Sequence, residues 1–294
     1  MQLTKVEVEV AAQATLGEGA IWDAEKKVLY WVNILESEVH IYNLETKTND
    51  IIQVGQFVGT VVPKQKGGLL LALKNGIGSL NLETKQVSMI ANPEAHLPGN
   101  RFNDGKCDPA GRLWAGTMSL EEKEAVGSVY CMDTDGSVRK MIENVTISNG
   151  LTWSLDKKTF YYIDTPTMQV AAYDYEITTG NITHKRIAIS VPDSEGFPDG
   201  MTIDAEGMLW IAHWGGWQVC RWNPHTGEKL QSVKLPVSQV SSCAFGGKNL
   251  DELYITTARK GLDRNALEKE PLAGALFKCT NVGVNGIPSY MFAG

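Results

Sequence analysis

A short pattern of polar and apolar positions recurs along the chain: a polar residue, a glycine, a brief apolar run, a polar turn, then a strand of β-branched and aromatic residues. It opens at Glu18-Gly19-Ala20-Ile21-Trp22-Asp23, Asp104-Gly105-Lys106-Cys107-Asp108, Asn149-Gly150-Leu151-Thr152-Trp153 and Asp199-Gly200-Met201-Thr202-Ile203-Asp204. Two looser copies, Gly59-Thr60-Val61-Val62 and Ser241-Ser242-Cys243-Ala244-Phe245, fill the gaps and bring the count to six. Turns rich in Asp, Gly and Lys follow the openings, and strand-forming second segments such as Val28-Leu29-Tyr30-Trp31-Val32 and Leu209-Trp210-Ile211-Ala212 come next. A third strand and an outer hairpin complete each unit, with Asn-Leu-Glu-Thr-Lys written twice, at 43–47 and 81–85.

Six units in 294 residues average 49 residues each, within the period of roughly 40–50 that marks propeller blades. The expected fold is all-β: a six-bladed β-propeller of four-stranded antiparallel blades around a central channel, spanning 1–294 as one domain. No Pro/Gly/Ser-rich linker or long charge run interrupts the series. The alternating segment Val6-Glu7-Val8-Glu9-Val10 is expected to close the ring by pairing with the final blade near 289–292, because an unpaired edge invites aggregation.

Composition narrows the function. With 27 Lys+Arg against 34 Asp+Glu the formal charge is −7, which argues against a nucleic-acid partner. Apolar types make up 43% and charged types 21%, as in a globular chain with a packed core. The longest aliphatic run, Leu69 to Leu73, is far short of the roughly 20 residues of a membrane span. The opening residues show no secretory pattern, so the expected location is the cytoplasm, with no membrane partner. Five scattered cysteines without a C-x-x-C pair favour small buried side chains over disulfides or a thiolate zinc site.

In a propeller the first strand of each blade is innermost, so Glu18, Asp104, Asn149 and Asp199 ring one mouth of the channel. Taken singly, a polar residue before glycine is an ordinary turn former. Four oxygen-bearing side chains in one register point instead to a shared partner, because converging buried carboxylates need a compensating cation. An oxygen-only donor set suits Ca²⁺, Mg²⁺ or Mn²⁺, with Zn²⁺ also able to accept carboxylates. Few protein ligands leave open coordination positions, which favours catalysis over a structural site. The second strands return to the same mouth, so the loop 119–126 after Met118 is a candidate lid. His213 is open to two readings there, a chemical group or a hydrogen-bonded wall residue. No G-x-S-x-G, H-E-x-x-H, G-x-x-x-x-G-K-[ST] or G-x-G-x-x-G motif is present. Asp133-Thr134-Asp135-Gly136 has its glycine too early for a twelve-residue calcium loop and reads as a hairpin turn.

Leu16-Gly17-Glu18-Gly19, Arg101-Phe102-Asn103-Asp104-Gly105-Lys106, Trp114-Ala115-Gly116-Thr117-Met118, Ser148-Asn149-Gly150-Leu151 and Pro198-Asp199-Gly200-Met201 together resemble the senescence marker protein/regucalcin, gluconolactonase and luciferin-regenerating enzyme family. The resemblance runs over essentially the whole chain. It implies one divalent cation held by Glu18, Asn149 and Asp199, a polyhydroxylated lactone contacted by Arg101, Asn103 and Glu121, and Asp199 as catalytic acid/base. It favours Asn103 over Asp104 as the pocket residue of the third repeat, and the lid looks several residues shorter than in vertebrate members. The expected function is hydrolysis of a sugar lactone, a carboxylic ester, by a monomer or weak homodimer. The alternatives are a luciferin-regenerating or phosphotriester hydrolase-like activity, and a non-catalytic calcium-binding regulatory propeller.

Overall fold

A computed structural model describes residues 4–294. Among the described residues the strands form six four-stranded sheets. The six repeat openings become the inner strands: Gly17–Asp23, Val58–Pro63, Asn100–Cys107, Ser148–Trp153, Phe197–Ile203 and Val240–Gly246. These begin blades 1 to 6, and each inner strand packs against the inner strands of its two neighbours, so the blades stand in chain order around one axis. Within blades 1 to 5 the remaining strands follow outward, antiparallel, in sequence order, and in blade 6 the outermost place is taken by Lys5–Val10.

Neighbouring blades sandwich the middle strands, and these are therefore apolar on both faces. Leu69–Leu73 is buried at every position, as is Val28–Asn33. The outermost strands face water on one side; Val138–Val145 is mostly half-buried or exposed and carries Arg139, Lys140 and Glu143. All five cysteines are buried and unpaired, as their scattered strand positions suggest. No described helix is long and apolar enough to cross a membrane.

Closure follows the expected logic with a different partner. Lys5–Val10 is the outer strand of blade 6 and pairs antiparallel with Leu276–Thr280, Lys5 opposite Thr280 and Val8 opposite Phe277. The segment 289–292, expected to take that place, crosses the far end of the ring instead. Phe292 N donates to Pro63 O at 2.9 Å, Gln65 N to Phe292 O at 2.9 Å, and Ala293 N to Gly111 O at 3.0 Å. Sequence alternation near 289–292 is weak, whereas Leu276–Thr280 has the apolar residues that a strand inside a blade needs.

The aspartates that follow two inner strands, Asp108 and Asp204, do more than turn the chain. Asp108 Oδ1 accepts from Ala110 N and Arg112 N, both at 2.9 Å. Its Oδ2 accepts from Arg112 Nε at 2.7 Å, Trp114 Nε1 at 3.0 Å and Tyr175 OH at 2.7 Å. Tyr175 belongs to blade 4, so one carboxylate fastens a turn of blade 3 to its neighbour. Asp204 repeats the arrangement with Glu206 N, Met208 N, Trp210 Nε1 and Arg221 Nε. Asp108 is fully buried, and removing it strands the Arg112 guanidinium. Asp108→Ala should lower unfolding free energy by about 3–5 kcal/mol in urea melts; a loss below about 1 kcal/mol would show that the network is not holding the two blades together.

Candidate active site

Every inner strand breaks register near its channel end, and the break aims the polar residue inward. Phe102 pairs with Thr117 and Gly105 with Ala115, so Asn103 and Asp104 together oppose the single residue Gly116. Asn149 and Gly150 oppose Ile163 in the same way, and Asp199 and Gly200 oppose Ala212. Such bulges re-aim side chains. The count aligns Asn103, not Asp104, with Asn149 and Asp199, and so decides between the two residues of the third repeat. Blade 1 differs slightly: Glu18 is the last paired residue before its bulge, opposite Val32. Glycine follows Asn149 and Asp199 because the inner strands nearly touch. A Cβ on Gly150 would lie 2.6 Å from Asp199 O, and one on Gly59 2.3 Å from Asn103 O.

These residues converge at the bottom of a cavity of about 410 Å³, lined by Glu18, Arg101, Asn103, Asn149 and Asp199 on its floor and by Glu122, Gln239 and Lys260 higher up. All five floor residues are buried. A hydrogen-bond relay orients them across three blades. Arg101 Nη1 donates to Asn103 Oδ1 at 2.6 Å, and Asn103 Nδ2 to Ser148 O at 2.8 Å and Asn149 Oδ1 at 3.1 Å. Asn149 Nδ2 then donates to Thr165 Oγ1 at 2.8 Å, and Thr165 Oγ1 to Pro198 O at 2.8 Å. The amide of Asn149 is thereby fixed, with one lone pair of its Oδ1 left to offer.

The floor carries crowded negative charge. Burial, then the charge of Asp104, pushes Glu18 up to about 8. Burial, then Glu18 and Asp104, pushes Asp199 well above the carboxylate range. Asp104 is raised by burial and opposed by Lys106, whose Nζ donates to Met201 O at 2.7 Å below the floor. Arg101 is lowered by burial, and Glu122, Glu18 and Asp199 oppose that loss. With every group ionised, the carboxylates of Glu18, Asp104 and Asp199 outnumber the cations Arg101 and Lys106 by three to two. Asp199 Oδ1 is buried and has no hydrogen-bond partner. An orphaned carboxylate oxygen, a second carboxylate and a fixed amide oxygen fit a hard divalent cation. Among the described residues no three His, Cys, Asp or Glu side chains form a ready-made metal cluster, so such a cation needs the Asn149 amide as a ligand.

The lid departs from expectation by one residue. Glu121 is exposed and outside the cavity lining, whereas Glu122 lines it. Glu122 N closes a turn onto Ser119 O at 3.1 Å with φ of 60° at Glu122, which turns Glu122 inward in place of Glu121. The lid is tied at both ends, Leu120 N to Gly99 O at 2.9 Å and Asn100 Nδ2 to Val126 O at 3.2 Å. Glu122 forms an ion pair with Lys260. His213 is buried inside blade 5 and does not line the cavity: its Nδ1 lies 3.1 Å from Glu195 O, and Trp222 Nε1 donates to its Nε2 at 3.3 Å.

Residues 16–259 match the family model described as SMP-30/Gluconolactonase/LRE-like region. The chain belongs to that family. Regucalcin of Danio rerio is 41% identical over 296 residues, covering all of both chains. A luciferin-regenerating enzyme superposes with a TM-score of 0.93 at 35% identity, over 99% of each chain. A calcium-binding protein, regucalcin, from Agrobacterium tumefaciens does so with a TM-score of 0.93 at 29% identity, over 97% of this chain and 96% of its own. This member of the family thus shares its whole architecture with both. Sequence reasoning missed Lys106, Glu122, Thr165, Gln239 and Lys260. Lys106 stands inside the repeated opening and was open to discovery by inner-strand position; the other four sit in irregular segments or turns with no periodicity to betray them.

His213 offers a test of burial inside blade 5. Desolvation lowers it to about 4, against weaker support from Glu195 and with Lys229 and Lys234 adding to the drop. The unfolded chain takes the proton below about 6.5, the folded one only near 4. Stability from neutral His213 is therefore full above pH 6.5 and lost as pH falls toward 4, by about 3 kcal/mol in all. Between pH 7 and 4.5 the wild type should lose more unfolding free energy than His213→Gln; identical pH slopes would mean that His213 is protonated or solvated in the fold.

Proposed function

We propose that this protein is a divalent-cation-dependent lactonase of the gluconolactonase type. The observation that carries this reading is the unpartnered, buried Asp199 Oδ1 beside Glu18 and Asn149 at the bottom of an open cavity. The gluconolactonase in the family description supports it. Glu18, Asn149 and Asp199 would hold the cation. When bound, it supplies Lewis-acid polarisation of the lactone carbonyl and makes water easier to deprotonate.

The chain supplies the rest. Asp199 accepts a proton from the attacking water at a carboxylate oxygen and returns it to the ring oxygen as the acyl–oxygen bond breaks, leaving the hydroxy acid. Burial raises its proton affinity and suits it to that exchange, while a bound cation pulls the other way. Arg101, through its remaining guanidinium N–H groups, and Asn103, through the second lone pair of its Oδ1, are locked by the relay and orient the substrate, a contribution through positioning. On the lid the same task falls to Glu122 instead of Glu121.

A second reading, a calcium-binding regulatory propeller, draws on the calcium-binding description of the Agrobacterium relative. The two separate in one experiment: metal-stripped protein is given Ca²⁺, Mg²⁺, Mn²⁺ or Zn²⁺ in turn and assayed on a panel of aldonolactones. Cation-restored turnover supports the lactonase; calcium binding with no turnover on any lactone supports the regulator. Within the lactonase reading, Asp199→Asn keeps an oxygen ligand and loses the proton acceptor. At saturating cation its kcat should fall by about 10²–10⁴. Near-normal kcat would leave Asp199 as a ligand only.

A further inference from the structure

Above the polar floor the cavity wall is largely apolar, formed by Leu16, Met118, Ile147, Pro166, Phe197 and Trp214. Phe197 is 52% exposed. Two polar residues of the blade 6 side interrupt this wall. Gln239 lines the cavity, and its Oε1 is buried without a hydrogen-bond partner. A buried acceptor left unpaired is costly and rare, and at a cavity wall it marks a place for a ligand donor.

Lys260 is the second. It lines the same cavity and pairs with Glu122 of the lid. Blades 3 and 6 stand opposite each other in a ring of six, so this pair crosses the mouth from one side to the other. Lys260 N donates to Thr15 O at 2.9 Å and Leu262 N to Arg259 O at 3.0 Å, which hold the turn that presents the side chain. Ala258 N donates to Gln239 O at 3.0 Å. Gln239 and Lys260 are thus two points of one fixed rim. The Glu122–Lys260 pair is half-exposed on both sides and adds little stability of its own. It can therefore open to share its charges with a bound molecule.

We propose that Gln239 and Lys260 form a hydroxyl-binding subsite that selects polyhydroxylated over alkyl lactones. Gln239 Oε1 accepts a hydrogen bond from one substrate hydroxyl, and Lys260 Nζ donates to the oxygen of another, on the part of the ring remote from the reacting carbonyl. The proposal rests on the lactonase reading of the floor. The physical reason is local: with apolar residues over most of the wall, hydroxyl groups held above the floor find their partners on this rim and on Glu122.

The test compares glucono-δ-lactone with δ-valerolactone, the same ring without hydroxyls, in wild type, Gln239→Met, Lys260→Met and Lys260→Arg. Each methionine variant should raise KM for glucono-δ-lactone about tenfold with kcat within about twofold, the pattern of a lost binding contact. Neither should change KM or kcat for δ-valerolactone, and Lys260→Arg should restore most of the loss. An equal effect on both lactones, or no effect on either, overturns the proposal. Thermal melting monitors the fold; if Gln239→Met is unstable, Lys260→Met, at a half-exposed side chain, decides the outcome. Calorimetric binding of glucono-δ-lactam, whose ring amide resists hydrolysis, gives a readout free of turnover: both methionine variants should bind it about tenfold more weakly. If wild type hydrolyses neither lactone, the lactonase reading fails while the lactam titration still judges the rim. Lactam binding that is equal in all variants, or absent in wild type, overturns the subsite.

Discussion

The pairing of Lys5–Val10 with Leu276–Thr280 joins the two ends of the chain in one sheet, and the rest of the molecule depends on that closure. An open ring would let the blades splay, and the inner strands would no longer share an axis. Once the ring is closed, six similar strands meet at fixed spacing, and the register break in each turns a local irregularity into a common direction. Contact between neighbouring inner strands, so close that Gly59 and Gly150 have no room for a side chain, keeps that direction rigid.

Closure also creates an electrostatic problem that the site turns to use. Carboxyl groups far apart in sequence are brought together out of water, where their mutual repulsion and desolvation raise proton affinity. Lys106 and Arg101 offset part of that charge from below and from the side. The neutral members of the ring contribute geometry. Asn103, Asn149 and Thr165 pass hydrogen bonds from blade 3 to blade 5, so no amide at the floor is free to rotate.

The architecture was legible because propeller blades repeat: all six repeat openings form inner strands, and Glu18, Asn149 and Asp199 line one cavity. The limits of that legibility have physical causes. Asn103 and Asp104 are adjacent, and the repeat pattern picks Asp104, whereas the bulge, in line with the family resemblance, aligns Asn103 with the other blades. Glu121 and Glu122 differ by one step in a loop whose left-handed turn is a backbone property, invisible in a run of charged residues. Gln239 and Lys260 lie where the chain passes between strands or turns, and their meeting with the lid is a consequence of ring geometry alone. The final segment misled because its alternation is weak, and a strap held by single backbone hydrogen bonds to Pro63, Gln65 and Gly111 leaves no pattern of its own in the sequence.

Ile287, Pro288, Ser289 and Tyr290 line a small chamber of about 30 Å³ at the far end of the channel, and Lys106 projects into the same chamber. The bore that a ring of blades would otherwise leave open is stoppered there by the chain's own tail, so the cavity is a blind well. Whatever descends to the floor must climb back out past the same rim. On the lactonase reading, arriving substrate and departing product would therefore share one doorway, and a product slow to leave would keep the next molecule waiting outside.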